Sequence, residues 1–107
     1  MNTQIQKELD LIKDAILQVV PAEAIYLFGS YVDGTPNDDS DLDIYVVVPD
    51  NTENISELHG DIRCLLFGKK TKELDLLIGR SSVFNRRKNG PTMEKVISRK
   101  GVIIYGH

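Results

Sequence analysis

The stretch GSYVDGTPNDDSDLDIYVVV (residues 29–48) begins with a Gly-Ser pair and ends in an apolar run, LDIYVVV (Leu42–Val48). It directly follows a second short apolar run, AIYLF (Ala24–Phe28). Both runs are rich in β-branched and aromatic residues, so they predict two buried strands. Two carboxylates, Asp41 and Asp43, lie at the beginning of the second strand, where burying charge is costly unless a partner offsets it.

The rest of the chain predicts helices and two more strands around this pair. The predicted elements are helices over 5–19 and 55–66, strands over Glu73–Gly79 and Val102–Tyr105, a helix that starts at Ser81 or Ser82, and a helix within 91–101 with Pro91 near its first turn. The order α-β-β-α-β-α-α-β predicts an α/β (α+β) fold, a mixed β-sheet flanked by helices. No repeat or long linker divides the chain, so we expect a single domain over 1–107.

Composition excludes several classes of protein. The chain is 41% hydrophobic and 27% charged, which is ordinary for a soluble globular protein. The apolar stretch 9–20 contains three charged residues, so it predicts neither a signal peptide nor a membrane span. A lone cysteine, Cys64, excludes an intrachain disulfide and a cysteine-rich zinc site, and it fits a cytoplasmic protein.

Charge is divided along the chain. Residues 14–62 contain eleven acidic side chains and no Lys or Arg, whereas residues 63–107 contain eleven Lys or Arg and three acids. This division would suit a site with metal cations on one wall and a polyphosphate on the other. A fold that pairs its two halves explains the charges equally well, and from charge alone it is the simpler interpretation.

The aspartates themselves predict a metal site. Residues two apart on a strand point the same way, about 6.7 Å apart at Cα, so Asp41 and Asp43 are expected on one face. Two such charges about 4 Å apart repel by about 4 kcal/mol at an effective dielectric near 20, and a divalent cation between them turns this repulsion into attraction. Oxygen ligands favour Mg²⁺ or Mn²⁺ over zinc. If the third strand is a neighbour, Asp75 would complete the set of carboxylates that a two-metal site requires. Otherwise Asp75 faces water or pairs with an arginine.

A calcium loop is the rival interpretation. Asp39, Asp41 and Asp43 have the D-x-D-x-D spacing of such a loop. The loop also requires Gly at its sixth position and Glu at its twelfth, where this chain has Ile44 and Asp50. The sequence therefore argues against it.

The Gly-Ser pair is informative only in combination with the aspartates. Gly29-Ser30, ten intervening residues and Asp41-x-Asp43 resemble the signature of the DNA polymerase β-like nucleotidyltransferase superfamily. The small size and the later Asp75 resemble its minimal nucleotidyltransferase (MNT) branch. The resemblance implies a nucleotide site for ATP with two Mg²⁺ ions, or Mn²⁺. Gly29 and Ser30 would bind the β- and γ-phosphates. Asp41 and Asp43 would bind the metals, and Asp75 would complete the second metal site and help activate the attacking hydroxyl.

The same resemblance implies a partner. MNT proteins of this size work beside small HEPN toxins, and some transfer AMP to a tyrosine of that partner, so we expect an antitoxin in a hetero-oligomer. A domain that neutralises its partner by binding alone, and a small-molecule or RNA nucleotidyltransferase subunit, stay open as alternatives. Acidity and the lack of interleaved aromatic residues argue against a nucleic-acid groove.

The sequence departs from the family at Asp33, since many relatives carry a basic residue in this loop. The cations that flank the third strand could neutralise the triphosphate or an acidic partner surface instead. They are Lys69, Lys70, Lys72, Arg80, Arg86, Arg87 and Lys88.

Overall fold

Five helices and four strands make up the part of the chain that the structure, a computed structural model, describes: residues 3–33, 41–69 and 73–106. The helices are α1 (Thr3–Val19), α2 (Ser30–Asp33), α3 (Ile55–Leu66), α4 (Ser81–Arg87) and α5 (Met93–Lys100). The strands are β1 (Ala24–Phe28), β2 (Leu42–Val48), β3 (Leu74–Arg80) and β4 (Val102–Gly106). The predicted order is confirmed, with the short α2 added directly after Gly29.

One predicted boundary needs correction. The third strand begins at Leu74, one residue later than predicted, and runs to Arg80. Pro91 lies near the first turn of α5, as predicted, directly before the N-cap Thr92, whose side chain accepts a hydrogen bond from the Lys95 N–H. Within the described residues, no helix has both the length and the apolar character needed to cross a membrane.

The four strands form one mixed sheet in the order β3-β2-β1-β4. Strand β1 is antiparallel to β2 and to β4, whereas β2 and β3 are parallel and are joined through α3. Because of these directions, the beginnings of β2 and β3 and the end of β1 lie at one edge of the sheet. This mixed sheet with flanking helices confirms the predicted fold class.

Each face of the sheet packs against its own pair of helices. Alternate residues of the strands, among them Leu27, Ile44 and Leu76, are buried against α1 and α3 in the larger core cluster. The opposite face carries a smaller cluster with α4 and α5, formed by Ala24, Tyr26, Tyr45, Val47, Phe84 and Ile97. Strand β2 is therefore covered on both faces, which explains its nearly continuous apolar sequence.

A buried polar network fastens the helices α4 and α5 to this second face. The Tyr45 hydroxyl donates to Glu94 Oε2 at 3.2 Å, and Arg87 Nε forms an ion pair with Glu94 Oε1 at 3.0 Å. Burial, followed by the charge of Glu94, raises the pKa of Tyr45 to about 12, so the phenol keeps its proton and donates. Burial alone would raise the pKa of Glu94, but its hydrogen bonds and the ionic contact with Arg87 lower it. Gly79 makes room for the Tyr45 ring, since a Cβ there would overlap the hydroxyl.

We expect Tyr45→Phe to destabilise the protein by about 1–2 kcal/mol, because it removes a hydrogen bond to a buried carboxylate. The lowered pKa of Glu94 means that this stabilisation is present above its ordinary value of 4.5 and is lost as pH falls. Urea unfolding near neutral pH and in acid measures both effects. Tyr105→Phe, at an exposed tyrosine, is the control. Equal losses in the two variants would contradict the role of the network.

Candidate functional site

The carboxylates of Asp43 and Asp75 lie side by side at one edge of the sheet. The parallel register of β2 and β3 pairs Asp43 with Asp75, while the flanking pairs, Leu42 with Leu74 and Ile44 with Leu76, are buried in the larger core. Alternation along the strands puts both aspartates on the other face, which also carries Tyr45. Asp43 is half-buried and Asp75 is exposed. The condition stated from the sequence, that the third strand neighbours the second, is therefore met.

Burial and the two neighbouring acids all favour the protonated form of Asp43. Its pKa is raised above the ordinary 3.8, first by burial, then by the charge of Asp75 and a hydrogen bond with it, and last by the charge of Asp41. Without a cation, Asp43 therefore keeps a proton more readily than a free aspartate does. Asp75 and Asp41 therefore both act electrostatically on Asp43.

The backbone of Gly29 lies directly against the Asp43 carboxylate. Phe28 is the antiparallel partner of Asp43, so the chain leaves β1 next to that side chain. Gly29 then turns with φ 79°, and a Cβ at this position would overlap the carboxylate. Its carbonyl accepts from the Val32 N–H at 2.9 Å, which closes the turn of α2, and Ser30 is exposed at the start of that turn. The structure thus brings the Gly-Ser pair and the aspartate pair together.

Asp41 is exposed and lies one residue before β2, at the beginning of the strand as the sequence predicted. Across residues 3–33, 41–69 and 73–106, no three His, Cys, Asp or Glu side chains are close enough together to hold a metal ion. The fit to Mg²⁺ rests on the adjacent oxygen donors of Asp43 and Asp75, which are the hard ligands that this ion prefers. Asp39, the first acid of the rejected calcium loop, is outside the described residues.

Several of the cations that flank the third strand contact the protein itself. Arg80 donates from its guanidinium to the Thr52 carbonyl at 2.8 and 3.2 Å. Arg87 is paired with Glu94, and the Lys88 Nζ lies 5.9 Å from the centre of the Phe84 ring. Lys70 and Lys72 are outside the described residues. Asp50, which is exposed in the turn after β2, accepts from the Ser82 N–H at 2.8 Å.

Two cavities border this face of the sheet. The larger, with a volume of about 310 Å³, is lined by Glu23, Tyr26, Phe84 and others near the start of β1. The start of β1 lies away from the aspartates, because Ala24 pairs with Val47 near the end of β2, whereas Asp43 lies near the beginning of β2. The smaller, about 70 Å³, is lined by Gly29 on one side and by α5 on the other. Of these two cavities, the smaller adjoins the Gly-Ser turn.

Comparison with known proteins assigns this arrangement to a family. A family model described as "Polymerase beta, Nucleotidyltransferase" matches residues 10–107, which include Gly29, Ser30 and all three predicted acids. This match confirms the resemblance seen in the sequence. No curated protein matches the chain.

Solved structures with the same fold include toxin–antitoxin complexes. A toxin–antitoxin structure with AMP-PNP is 25% identical, over 95% of this chain and 73% of that chain, with a TM-score of 0.50. The toxin–antitoxin MntA–HepT is 21% identical over the same shares, with a TM-score of 0.51. A Sulfolobus solfataricus protein with a provisional nucleotidyltransferase assignment is 17% identical, over 100% of this chain and 90% of that chain, with a TM-score of 0.54.

We expect Gly29→Ala to destabilise the protein by about 2 kcal/mol or more, because alanine is strained at positive φ and its Cβ meets the carboxylate. Part of this loss should disappear when Asp43→Ala is introduced as well, since the overlap is then removed. The control is Gly60→Ala, in the interior of α3, where a Cβ meets nothing within 4 Å. There we expect a gain of about 0.5–1 kcal/mol. Chemical denaturation measures the stability of all three variants. A Gly29→Ala protein as stable as wild type would contradict the close contact between the Gly29 backbone and the Asp43 carboxylate.

We expect metal-free Asp43→Asn to be more stable than wild type near neutral pH by up to about 1 kcal/mol, a range set by solvent screening of the pair. Because the pKa of Asp43 is raised in the folded state, its contribution is most favourable below 3.8 and is lost as pH rises through the raised value. The advantage of the variant should therefore shrink on acidification. Thermal melts in EDTA measure this, with the exposed Asp61→Asn as control. A difference in stability between Asp43→Asn and wild type that stays constant across pH would contradict this expectation.

Proposed function

The chain belongs to the polymerase β nucleotidyltransferase family, and from that premise we propose that it is an Mg²⁺-dependent enzyme that transfers AMP from ATP to a hydroxyl group. One observation carries the proposal: the register of β2 and β3 puts Asp43 beside Asp75, and the backbone of Gly29 lies against Asp43. A phosphate can approach a glycine backbone closely, and adjacent carboxylates can share a divalent cation with that phosphate.

Each residue has a role in the proposed reaction. The Gly29 backbone and the Ser30 hydroxyl hold the β- and γ-phosphates. Asp41 and Asp43 hold the metal ions, and Asp75 completes the second metal position. Mg²⁺, when bound, neutralises the carboxylates and the charge that develops on the phosphates.

The chemical step is a substitution at the α-phosphorus. The acceptor oxygen forms a bond to this phosphorus while the bond between the α-phosphorus and the oxygen bridging to the β-phosphate breaks. Pyrophosphate leaves with the electron pair of that bond, and the acceptor's proton passes to Asp75. The exposure of Asp75 supports this role, because an acceptor from another molecule can reach it.

We infer that the acceptor is a tyrosine of a HEPN-type toxin and that the chain acts as its antitoxin in a cytoplasmic hetero-oligomer. Support comes from the 25% identical toxin–antitoxin structure with AMP-PNP, which combines a nucleotide analogue with such a complex. In this proposal the partner supplies the hydroxyl and the surface that recognises it.

A second function, neutralising the toxin by binding alone, is favoured by a different observation. Among the described residues no group of three acids is gathered for a metal ion. In such a protein the fold would mask its partner while the aspartates contribute no chemistry.

Label transfer separates these functions. We expect the protein with Mg²⁺ and α-³²P-labelled ATP to label a purified HEPN-type toxin, and Asp43→Asn or Asp75→Asn to reduce the rate by about a hundredfold or more. Asp61→Asn, an exposed acid on α3, should transfer label at the wild-type rate.

Growth of cells that express the toxin gives the second readout. If the enzyme is the antitoxin, Asp43→Asn/Asp75→Asn loses protection along with label transfer. Full protection by this double variant, with no label transferred by wild type, would establish neutralisation by binding and overturn the enzymatic proposal.

A further inference from the structure

A triphosphate at the Gly-Ser turn needs positive charge that its own part of the chain lacks. Residues 14–62 include β1, the turn, β2 and most of α3, and they contain eleven acids and no Lys or Arg. Asp43 adds negative charge directly against the Gly29 backbone. Bound cations offset the carboxylates, but the terminal phosphates carry charge of their own. A cation from the basic second half of the chain, residues 63–107, would supply this charge if it reached the turn.

The end of α5 is the part of the second half that reaches it. Strand β4 is antiparallel to β1, and Val102 pairs with Leu27, so the residues just before β4 lie beside the end of β1. Gly101 makes the tight turn from α5 into β4: its N–H donates to the Ile97 carbonyl at 2.8 Å, and a Cβ there would crowd that oxygen. Lys100 is consequently fixed next to the Gly-Ser turn.

The small cavity at this point joins the two segments. Gly29 and Val32 line one side, and Met93, Val96 and Lys100 of α5 line the other. Of the described residues that line this cavity, Lys100 alone carries a positive charge. Its side chain is exposed, so the ammonium is accessible to a ligand at the mouth of the cavity.

Other cations of the second half are held elsewhere. Arg80 donates to the backbone of the loop after β2, Arg87 is paired with Glu94, and Lys88 lies over Phe84. Arg99 is exposed on α5 but does not line the cavity. Position therefore distinguishes Lys100 from these cations.

We propose that Lys100 binds the terminal phosphates of the nucleotide, supplying from α5 the positive charge that the Gly-Ser segment lacks. The inference rests on the proposed nucleotide site. In that site the α-phosphate lies at Asp43 and Asp75, and the β- and γ-phosphates lie toward Gly29 and Ser30. Lys100 adjoins Gly29 and so reaches the second group rather than the reacting phosphorus.

A purely structural role is the competing explanation. Lys100 and Arg99 both lie in the last turn of α5, where a cation interacts favourably with the helix dipole. Removing either charge costs this interaction equally, but only Lys100 lines the cavity beside Gly29. Arg99→Gln is therefore a matched control for Lys100→Gln.

The test is the affinity for nucleotides, measured by calorimetry with Mg²⁺ present. We expect Lys100→Gln to weaken ATP binding by about tenfold, which corresponds to the loss of one hydrogen bond between charged groups. AMP binding should stay within about twofold of wild type, as should both affinities of Arg99→Gln. Lys100→Arg should keep ATP affinity within about threefold, because it keeps the charge.

Three outcomes would overturn the inference. They are wild-type ATP affinity in Lys100→Gln, an equal loss in Arg99→Gln, and an equal loss of AMP and ATP affinity. Each of these leaves the proposed function standing, since wild type still binds ATP. Failure of the wild-type protein to bind Mg²⁺-ATP would instead overturn the nucleotide site and the role of Lys100 together.

Discussion

The parallel register between β2 and β3 is the constraint on which the rest of the site depends. It puts Asp43 and Asp75 next to each other on one face of the sheet, where like charges oppose folding unless a proton or a cation is shared. In the metal-free protein, burial first and the charge of Asp75 second raise the pKa of Asp43. A one-residue slip of β3 would move Asp75 to the opposite face and expose the apolar side chains now packed against α1 and α3. The core that fixes the register therefore also fixes the aspartate pair.

The face of the sheet that carries Asp43 and Tyr45 differs in structure between its two ends. At one end, Phe84 stacks on Tyr26 with ring centroids 5.6 Å apart, and the network of Tyr45, Glu94 and Arg87 fastens α4 and α5 to the sheet. At the other end, Asp75 is exposed and the chain turns at Gly29 against Asp43. The first end supplies rigidity, and the second leaves room for a ligand. Because Tyr45 is two residues from Asp43 on the same strand, the rigid end also positions the site.

Local sequence patterns predicted the elements and the faces well. Alternation in LDIYVVV was enough to separate Asp43 from Leu42 and Ile44, since side chains on a strand have a strict period of two. Whether Asp75 lies beside Asp43 depended on a strand pairing that no local pattern determines. The contact between Gly29 and the Asp43 carboxylate was likewise beyond the sequence, because it results from the antiparallel pairing of Phe28 with Asp43. Charge alone does not show that Arg80 and Arg87 contact the protein itself, because the contacts of Arg80 with the Thr52 carbonyl and of Arg87 with Glu94 depend on the folded structure. The roles of Gly29, Ser30, Asp41, Asp43 and Asp75 in binding and catalysis stay predictions.

If the site works as proposed, Asp43, Asp75 and the Gly29 turn together bind a nucleoside triphosphate with divalent cations. A crystal structure with AMP-PNP and Mn²⁺, in which anomalous scattering locates the metal, would show this binding directly. We expect manganese coordinated by carboxylate oxygens of Asp43 and Asp75, with the terminal phosphates beside the Gly29 backbone. Manganese peaks away from both aspartates, or the nucleotide in the larger cavity beside Glu23 and Phe84, would contradict the proposed site.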